Sequence, residues 1–265
     1  MVTDTRFVEK YGPWAVVAGA SGGLGAEYAT QLAAKGLNVV LVARRAEMLE
    51  ALAAKIKTEF RVEVRTLSLD LARADVASII DAQTGDLEIG LLVYNAALSA
   101  VGPFFDKPLE THLREVDTNV RAPLTLAYAL GRRMLARKRG GIVLMSSLSA
   151  TQGSPLISNY AATKAYNLVF AEGLWDELRA QGIDVLACCP NLIDTPNFRA
   201  SAPAKSPMPA TPPRAVVAET LAALGRQPSI IPGRSNRLAA FVMRRLFPRR
   251  FAITLMGRTM RGMYS

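Results

Sequence analysis

Short apolar runs alternate with helix-forming segments along the 265-residue chain. The apolar runs are rich in Val, Leu and Ile and are bounded by glycine, proline or polar residues, which is typical of buried strands. Alternation of such strands with helices predicts a parallel sheet with crossover helices on both faces. We expect seven strands, at residues 14–20, 38–43, 62–68, 89–95, 141–146, 183–189 and 229–231.

A glycine-rich turn follows the first predicted strand directly. Gly19, Gly23 and Gly25 stand between this strand and a run of helix formers from Ala26 to Lys35, where Gly36 fits the helix end. Glycines let backbone N–H groups approach a pyrophosphate, and the helix N-terminus favours negative charge. A tight packing turn would also use glycines, but the position directly after a strand favours nucleotide binding.

The second predicted strand ends at Arg44-Arg45 and carries no acid there. An acid at this place usually binds a ribose 2′-hydroxyl, whereas an arginine accommodates a 2′-phosphate. We therefore predict NADP rather than NAD, with Arg44 and Ser21 at the 2′-phosphate; the alternative is a pair of solvated arginines. Asp70, after the third strand, is placed either against the adenine or as the cap of a helix starting near Arg73.

Tyr160 and Lys164 stand four residues apart in Tyr-Ala-Ala-Thr-Lys, and Ser147 ends an apolar run thirteen residues before the tyrosine. Residues four apart share one face of a helix, so the ammonium is expected beside the phenol, where it would lower the tyrosine pKa. A hydroxyl, an acidified phenol and a lysine suit acid–base chemistry at a carbonyl or an alcohol. The alternative is a solvated helix face.

Taken together, these motifs resemble the short-chain dehydrogenase/reductase family. The matching residues, in the family's order and spacing, are Gly19-x-x-x-Gly23-x-Gly25, Asn95-Ala96-Ala97, Asn119, Ser147, Tyr160-x-x-x-Lys164, Pro190 and Thr195. The resemblance covers residues 14–233. Within the family the chain is similar to the branch that holds hydroxysteroid dehydrogenases and the 3-oxoacyl-CoA reductases of fatty-acid elongation.

The resemblance implies a Rossmann-like, doubly wound α/β fold in a single domain, and a role for each matching residue. Tyr160 would be the general acid or base, Lys164 would lower its pKa and hold the nicotinamide ribose, and Ser147 would polarise the substrate carbonyl. Asn119 would hold a water that relays protons. The predicted cofactor-binding set is Gly19, Ser21, Gly23, Leu24, Gly25, Arg44, Asp70, Asn95, Tyr160, Lys164, Pro190, Ile193 and Thr195. The predicted substrate-binding set is Ser147, Leu148, Leu156, Tyr160, Leu192 and Phe198.

Three positions depart from the family pattern. Ala18 replaces a threonine of the glycine loop, and Ala97 adds a methyl group where the backbone passes the cofactor. Asn191 replaces a glycine, and we expect it to keep the glycine's positive φ, which asparagine tolerates better than most residues. None of these changes removes a catalytic group.

The expected activity is NADP(H)-dependent interconversion of a ketone and a secondary alcohol on a lipophilic substrate, either a 3-oxoacyl thioester or a ketosteroid. The alternative is a non-catalytic protein that senses NADP(H) on the same fold. The family resemblance also implies a homodimer or homotetramer.

Composition narrows the other possibilities. His112 is the only histidine and is expected on a helix surface, so neither a histidine metal site nor a Ser-His-Asp triad is predicted. Cys188 and Cys189 are adjacent on a predicted strand and face opposite sides, so we expect two buried, reduced thiols. The N-terminus lacks a signal-like segment and no apolar run reaches the ~18 residues of a membrane span. A cytoplasmic protein is expected.

The last part of the chain is predicted to form a substrate lid and a C-terminal extension of the catalytic domain. Residues 1–233 would form the catalytic domain, with the Pro-rich segment 191–213 as a substrate lid, and residues 234–265 a basic amphipathic extension. Residues 220–265 hold nine arginines and no acid out of the chain's net charge of +10. Their apolar stripe has three interpretations: packing on the protein's own pocket, a subunit interface, or peripheral contact with an anionic membrane. Nucleic-acid binding is not predicted, since no such motif is present.

Overall fold

The computed structural model describes residues 4–195 and 210–264. In this part of the chain seven parallel strands form one sheet in the order β3-β2-β1-β4-β5-β6-β7. The strands are β1 Trp14–Ala18, β2 Asn38–Ala43, β3 Val64–Ser68, β4 Ile89–Tyr94, β5 Gly140–Met145, β6 Ile183–Cys188 and β7 Ser229–Ile230. The predicted seven-stranded, doubly wound fold is confirmed, and the predicted strand ends were off by at most two residues.

Helices cover both faces of the sheet. They are α1 Thr5–Tyr11, α2 Gly23–Ala34, α3 Ala46–Glu59, α4 Val76–Gln83, α5 Leu109–Val116, α6 Ala122–Arg137, α7 Ser158–Arg179, α8 Pro213–Ala223, α9 Arg234–Leu246 and α10 Arg249–Tyr264. A π-helical turn, Asp117–Arg121, joins α5 to α6, and a short 3-10 helix, Leu148–Thr151, precedes α7.

The period-two alternation of the strands divides the core into two layers. Val17 packs in one layer with apolar residues of α1, α2, α3 and α8, whereas its neighbour Val16 packs in the other layer with α4, α6 and α7. Full burial of each such side chain contributes roughly 1.5–3 kcal/mol of hydrophobic stabilisation. Cys188 and Cys189 fall in opposite layers as buried free thiols, which confirms their predicted placement.

The strand order places a crevice between β1 and β4. The chain runs outward from β1 through β2 to β3 and then returns to pair β4 with the other side of β1. Because the crossovers on the two sides of this point diverge, ligands of such sheets bind outside the carboxyl ends of the strands there. Asn95 and Ala96, just after β4, donate backbone hydrogen bonds to the Ala18 carbonyl, so the ends of β1 and β4 frame the crevice.

His112 lies in the interior, not on the helix surface that the sequence suggested. It is 7% exposed, stacks on Phe104 at 4.3 Å between ring centroids, and its Nε2 lies 2.9 Å from the Phe104 carbonyl oxygen. The prediction was wrong because the 3-10 turn at Phe104 folds over α5 and covers the imidazole. Local sequence around the histidine does not reveal such a turn.

The two C-terminal helices differ in how they pack. Helix α10 buries Gly257, Met260 and Met263 against the protein, and a Cβ built on Gly257 would lie 3.1 Å from Pro155. Helix α9 buries Ala240 but leaves Leu238 and Phe241 mostly in solvent, at 65% and 60% exposure. Packing on the protein's own surface is therefore correct for α10 and wrong for the apolar stripe of α9. No helix of the described chain is long and apolar enough to cross a membrane.

Candidate active site

Three glycines shape the turn after β1. Gly19 has φ +87°, and a Cβ there would lie 2.6 Å from the Ala96 nitrogen. A Cβ on Gly25 would lie 1.9 Å from the Gly19 carbonyl oxygen, and one on Gly23, which has φ +54°, would lie 3.0 Å from Thr195 Cγ2. Side chains at these positions would fill the turn, so only glycine leaves its backbone N–H groups open. Helix α2 begins at Gly23, three residues earlier than predicted, which brings its positive N-terminus into the turn.

A cleft of about 590 Å³ extends from this turn across the carboxyl ends of the strands. It brings together twelve of the thirteen predicted cofactor-binding residues. The exception, Gly25, lies behind the turn, where Asn95 Nδ2 also donates a 3.0 Å hydrogen bond to the Gly19 carbonyl oxygen. Apart from Gly25, the residues that the sequence predicted to bind the cofactor therefore lie on one continuous surface, the wall of this cleft.

Arginines occupy one end of the cleft. Arg45 Nη2 donates a 3.0 Å hydrogen bond to Ser21 Oγ, and Arg44 lines the same wall. Sequence reasoning chose Arg44 and overlooked Arg45, because two adjacent arginines after a strand give no sign of which one turns back to the glycine loop. Met48 and Arg114 also line the cleft and were not anticipated.

Asp70 lines the cleft and does not cap a helix. Its Oδ1 accepts a 3.1 Å hydrogen bond from the Ala72 amide, and its other oxygen pairs with Arg114. Partial burial raises the Asp70 pKa, but these hydrogen bonds and the Arg114 charge outweigh it and leave the pKa lowered. The next helix begins only at Val76, with Asp75 at its cap position, so the alternative of a helix starting near Arg73 was wrong.

The predicted acid–base group lies at the other end of the cleft. Tyr160 and Lys164 lie on α7 and Ser147 follows β5, and all three line the cavity. Lys164 is 2% exposed and its Nζ donates a 2.8 Å hydrogen bond to the Met145 carbonyl oxygen. Ser147 Oγ accepts hydrogen bonds from the backbone nitrogen and the hydroxyl of Ser149, which fixes its orientation.

Burial has the largest effect on the pKa values of Tyr160 and Lys164. It raises the pKa of Tyr160 to about 12, although a hydrogen bond with Ser147 acts to lower it. It also lowers the pKa of Lys164 to about 8. The expectation that Lys164 leaves the tyrosine with a depressed pKa is therefore wrong for this arrangement. The reason is that i and i+4 spacing gives the proximity but not the removal of both groups from water.

Asn119 lies beneath the cleft in the π-helical turn and is fully buried. Its Nδ2 donates to the Leu98 carbonyl oxygen at 2.8 Å and to Thr163 Oγ1 at 3.0 Å, and its Oδ1 accepts from the Leu98 amide. The side chain thus ties the loop after β4 to the helix that carries Tyr160. Asn119 does not itself line the cleft but contacts it through Leu98, and the water-relay role stays a prediction.

The predicted substrate residues are less well supported than the cofactor set. Ser147 and Tyr160 line the cleft, Leu148, Leu156 and Leu192 are partly buried outside its lining, and Phe198 lies outside the described residues. Leu156 has φ +66°, a backbone conformation that leucine seldom adopts and that clusters at functional sites. Most of the predicted lid, 191–213, likewise lies outside the described part.

Asn191 does not adopt the positive φ that was expected from its replacement of glycine. Its Nδ2 instead donates a 3.2 Å hydrogen bond to Asn236 Oδ1 on α9. Asparagine at this position therefore loses the backbone freedom of glycine, and its side chain connects the loop after β6 to the C-terminal helix α9.

The cleft fits a nicotinamide dinucleotide. Open backbone N–H groups and the α2 N-terminus can hold a pyrophosphate, and Asp70 and the arginines line the adenosine end. Pro190 and Ile193 also line the cleft; the Pro190 carbonyl oxygen accepts from the Leu148 amide next to Ser147, and Thr195 lies against Gly23 of the turn. Among the described residues no cluster of potential metal ligands is found.

Residues 13–206 match the family model for short chain dehydrogenases. The chain belongs to the short-chain dehydrogenase family. It is 31% identical over 234 residues to the 7beta-hydroxysteroid dehydrogenase of Collinsella aerofaciens, covering 86% of this chain and 89% of the relative. It is 36% identical over 184 residues to the very-long-chain 3-oxoacyl-CoA reductase of Laccaria bicolor, covering 68% of this chain but 54% of that protein.

Solved structures of similar fold agree with this family assignment. A structure from work on 7beta-hydroxysteroid dehydrogenase stereoselectivity superposes with a TM-score of 0.89 at 29% identity, covering 94% of this chain and 98% of the other. A short-chain dehydrogenase from Sphingobium yanoikuyae in complex with NADPH gives a TM-score of 0.77 at 32% identity, covering 88% and 94%. As a member of this family the protein is an NAD(P)-binding oxidoreductase that acts on CH–OH and C=O groups, and the predicted branch is confirmed.

Proposed function

We propose that the protein is an NADP(H)-dependent oxidoreductase that interconverts a ketone and a secondary alcohol on a lipophilic substrate. One observation carries the proposal: Ser147, Tyr160 and Lys164 line the same cleft as the glycine turn and the basic wall at Arg44 and Arg45. A protein that only sensed NADP(H) would have no need of a phenol, a hydroxyl and a buried ammonium at the nicotinamide end. We therefore rank the non-catalytic alternative second.

In ketone reduction the Tyr160 phenol donates its proton to the carbonyl oxygen while the carbonyl carbon is reduced. The bound nicotinamide would supply the hydride in this direction and accept it in alcohol oxidation. The Ser147 hydroxyl polarises the carbonyl and stabilises charge that develops on its oxygen. Lys164 places a positive charge beside the tyrosinate that remains, and its hydrogen bond to Met145 fixes that charge in place.

NADP is favoured over NAD by the basic end of the cleft. Arg45 is anchored on Ser21 of the glycine turn, and Arg44 lies next to it. A guanidinium binds a phosphate through charge-assisted and often paired hydrogen bonds, whereas a ribose 2′-hydroxyl calls for a carboxylate acceptor. Asp70, the one acid among the described residues that line the cleft, is already paired with Arg114.

The lipophilic substrate is inferred from the relatives' names and from the helix that packs on the loop before α7. Both relatives are named for steroid or long-chain acyl substrates. Helix α10 buries two methionines, Met260 and Met263, and its Gly257 lies against Pro155 of that loop. We propose that Leu148, Leu156, Leu192 and Phe198 complete an apolar wall there, with 191–213 as the lid.

We retain the proposed division into a catalytic domain, 1–233, and a C-terminal extension, 234–265. A homodimer or homotetramer is proposed from large apolar side chains that α5, α6 and α7 leave exposed, namely Leu109, Leu113, Leu124, Tyr128 and Val169. A cytoplasmic location is proposed because Cys188 and Cys189 are free thiols, as expected in a reducing compartment.

Peripheral contact with an anionic membrane is proposed for α9. Its exposed Leu238, Phe241 and Leu246 lie on a helix whose last turn carries Arg244 and Arg245. Such a surface offers apolar side chains to the lipid boundary and guanidinium groups to lipid phosphates.

Turnover tests the main proposal. The purified protein would be assayed for NADPH oxidation with a panel of ketosteroids and 3-oxoacyl thioesters, and for NADP⁺ reduction with the matching alcohols. We expect turnover by the wild type and a loss of at least about 100-fold in kcat for Tyr160→Phe, since general acid catalysis contributes 10²–10⁴-fold. Wild-type turnover by Tyr160→Phe would refute the proton-donor role, and tight NADPH binding without turnover on the panel would favour the sensor.

A further inference from the structure

Glu115 is a buried acid that the proposed chemistry does not use. It lies on α5, two residues before the π-helical segment that carries Asn119, and its exposure is 0%. An isolated carboxylate in such a position would be costly, so a buried charge is normally retained only where it is hydrogen-bonded or paired. Its partners indicate what it does.

The carboxylate connects three parts of the catalytic side of the molecule. Its Oε2 accepts a 2.6 Å hydrogen bond from Asn159 Nδ2, and Asn159 immediately precedes Tyr160 on α7. Its Oε1 accepts a 3.2 Å hydrogen bond from the Ala100 amide in the loop that follows β4. Asn159 Nδ2 also donates to the His112 carbonyl oxygen at 3.1 Å, which closes the link back to α5.

Both partners donate, so the site matches an ionised carboxylate, which can only accept. Burial is the largest effect and leaves the Glu115 pKa raised overall, although the hydrogen bonds from Asn159 and Ala100 and the charge of Lys164 act to lower it. Its own negative charge raises the pKa of Tyr160 and of Lys164. The other groups that act on Tyr160 are Ser147 and Tyr264, and those that act on Lys164 are Cys189 and Cys188.

We propose that Glu115 is a positioning residue of the active site with two separable effects. Through Asn159 and Ala100 it fixes the first turn of α7 and the loop opposite, and its carboxylate places a buried negative charge at the start of the helix that carries Lys164. A lysine removed from water tends to lose its proton, and a fixed negative charge opposes that loss. The catalytic consequence rests on the proposed role of Tyr160.

Nuclear magnetic resonance can test the charge effect without any turnover. The chain has eight lysines, so ¹³C-lysine labelling gives a tractable spectrum in which Lys164→Met identifies the Lys164 signal. We expect Glu115→Gln to lower the Lys164 pKa by about one unit, the effect of one charge at a partly buried site. Glu110→Gln removes an exposed charge from the same helix and is the matched control, expected to leave the Lys164 titration unchanged.

A pH profile of alcohol oxidation, using the best alcohol of the panel, supplies the second readout. Its acidic limb reports the first proton lost by the coupled Tyr160–Lys164 pair, and removing a negative charge lowers that apparent pKa whichever group loses the proton. Glu115→Gln is therefore expected to shift the limb to lower pH. Asn159→Ala keeps the charge but removes the link, so it should lower kcat and leave the limb in place.

The outcomes separate this inference from the proposed function. Coincident Lys164 titrations in the wild type and Glu115→Gln, with both proteins folded by thermal melting, would overturn the inference whatever the enzyme's substrate. If Glu115→Gln does not fold, Glu115→Asp keeps the charge and should retain the wild-type Lys164 pKa; a shifted value would contradict the charge effect. Undiminished turnover by Tyr160→Phe would instead refute the proposed function alone.

Discussion

The Lys164 ammonium lies 5.5 Å from the centre of the Tyr160 ring. It sits over the aromatic face and is held there by the Met145 carbonyl oxygen at the end of β5. A cation over a ring is attracted by the ring's negative face, but burial costs the same cation its hydration. The net result is a lysine whose pKa is lowered to about 8.

That lowered pKa predicts how stability depends on pH. An unfolded lysine titrates near ~10.4, so below pH 8 the fold bears the cost of holding a buried ammonium, and this cost disappears as pH rises toward the unfolded value. Between about pH 7.5 and 9.5 the wild type should gain about 2 kcal/mol in unfolding free energy relative to Lys164→Met. Urea denaturation of both proteins at the two pH values measures the difference. A constant difference would mean that Lys164 titrates normally.

Replacing Ser147 by alanine should change both rate and pH dependence. The hydroxyl polarises the carbonyl, and loss of one such donor costs about 10²–10³-fold in kcat. Because the Ser147 hydrogen bond lowers the Tyr160 pKa, its loss should move a limb that reports the Tyr160 proton to higher pH, and should leave a limb set by Lys164 in place. This shift is opposite in sign to that expected for Glu115→Gln. Steady-state kinetics across the pH range tests both, and a limb that moves to lower pH would contradict the assigned hydrogen bond.

Cofactor preference should depend on Arg45 as well as on Arg44. Losing a charge-assisted hydrogen bond to a phosphate costs about 1.5–3 kcal/mol, so Arg45→Ala should weaken NADPH binding about 10- to 100-fold. NADH binding should hardly change, since it lacks the 2′-phosphate. Fluorescence titration with both cofactors measures this, with the exposed Arg61→Ala as the control. Equal losses for NADH and NADPH would show that Arg45 acts on the glycine turn and not on the phosphate.

The glycine turn should reject even one methyl group. Gly25→Ala would place a Cβ 1.9 Å from the Gly19 carbonyl oxygen, so the backbone must move and NADPH binding should be lost. Gly173→Ala, on α7, is the matched control because a Cβ there meets nothing within 4 Å. Alanine in an exposed helix is favoured over glycine by up to ~1 kcal/mol, so that variant should melt slightly higher. Retained NADPH affinity in Gly25→Ala would show that the turn is not the phosphate site.

The sequence predicted the sheet and the cofactor cleft well because both depend on local signals. Short apolar runs rich in β-branched residues, such as Val39 to Val42, favour buried strands, and glycine positions report on backbone geometry. Prediction from sequence failed where contacts between distant segments determine the position of a side chain. His112 is covered by a turn eight residues away, and Arg45 rather than Arg44 returns to Ser21. Glu115 gave no local signal, because its partners Ala100 and Asn159 come from other elements.

The apolar stripe of α9 shows the same limit, since its spacing predicts an amphipathic helix but not what covers it. A second copy of the chain would set this patch against itself in a two-fold interface. Arg237 is paired with Glu219, but no ion pair is found for Arg244 or Arg245 in the described chain, and residues 234–264 contain no acid. A symmetric contact would thus bring arginines together, which is unfavourable. An anionic bilayer can bind both groups, because its phosphates pair with the arginines and its acyl region accepts the apolar side chains.

Co-sedimentation with vesicles distinguishes these two partners. We expect binding to vesicles of phosphatidylglycerol and phosphatidylcholine but not to phosphatidylcholine alone. Arg244→Gln with Arg245→Gln should weaken binding about 30-fold, at ~1 kcal/mol for each arginine near the surface. Leu238→Ser with Phe241→Ser should weaken it further, whereas Val169→Ser, an exposed apolar residue on α7, should not. A different result would contradict membrane binding. If the wild type does not bind vesicles, and Leu238→Ser with Phe241→Ser reduces the molar mass measured by light scattering, the stripe is an interface between copies of the chain. Such an interface depends on the apolar side chains and does not require anionic lipid.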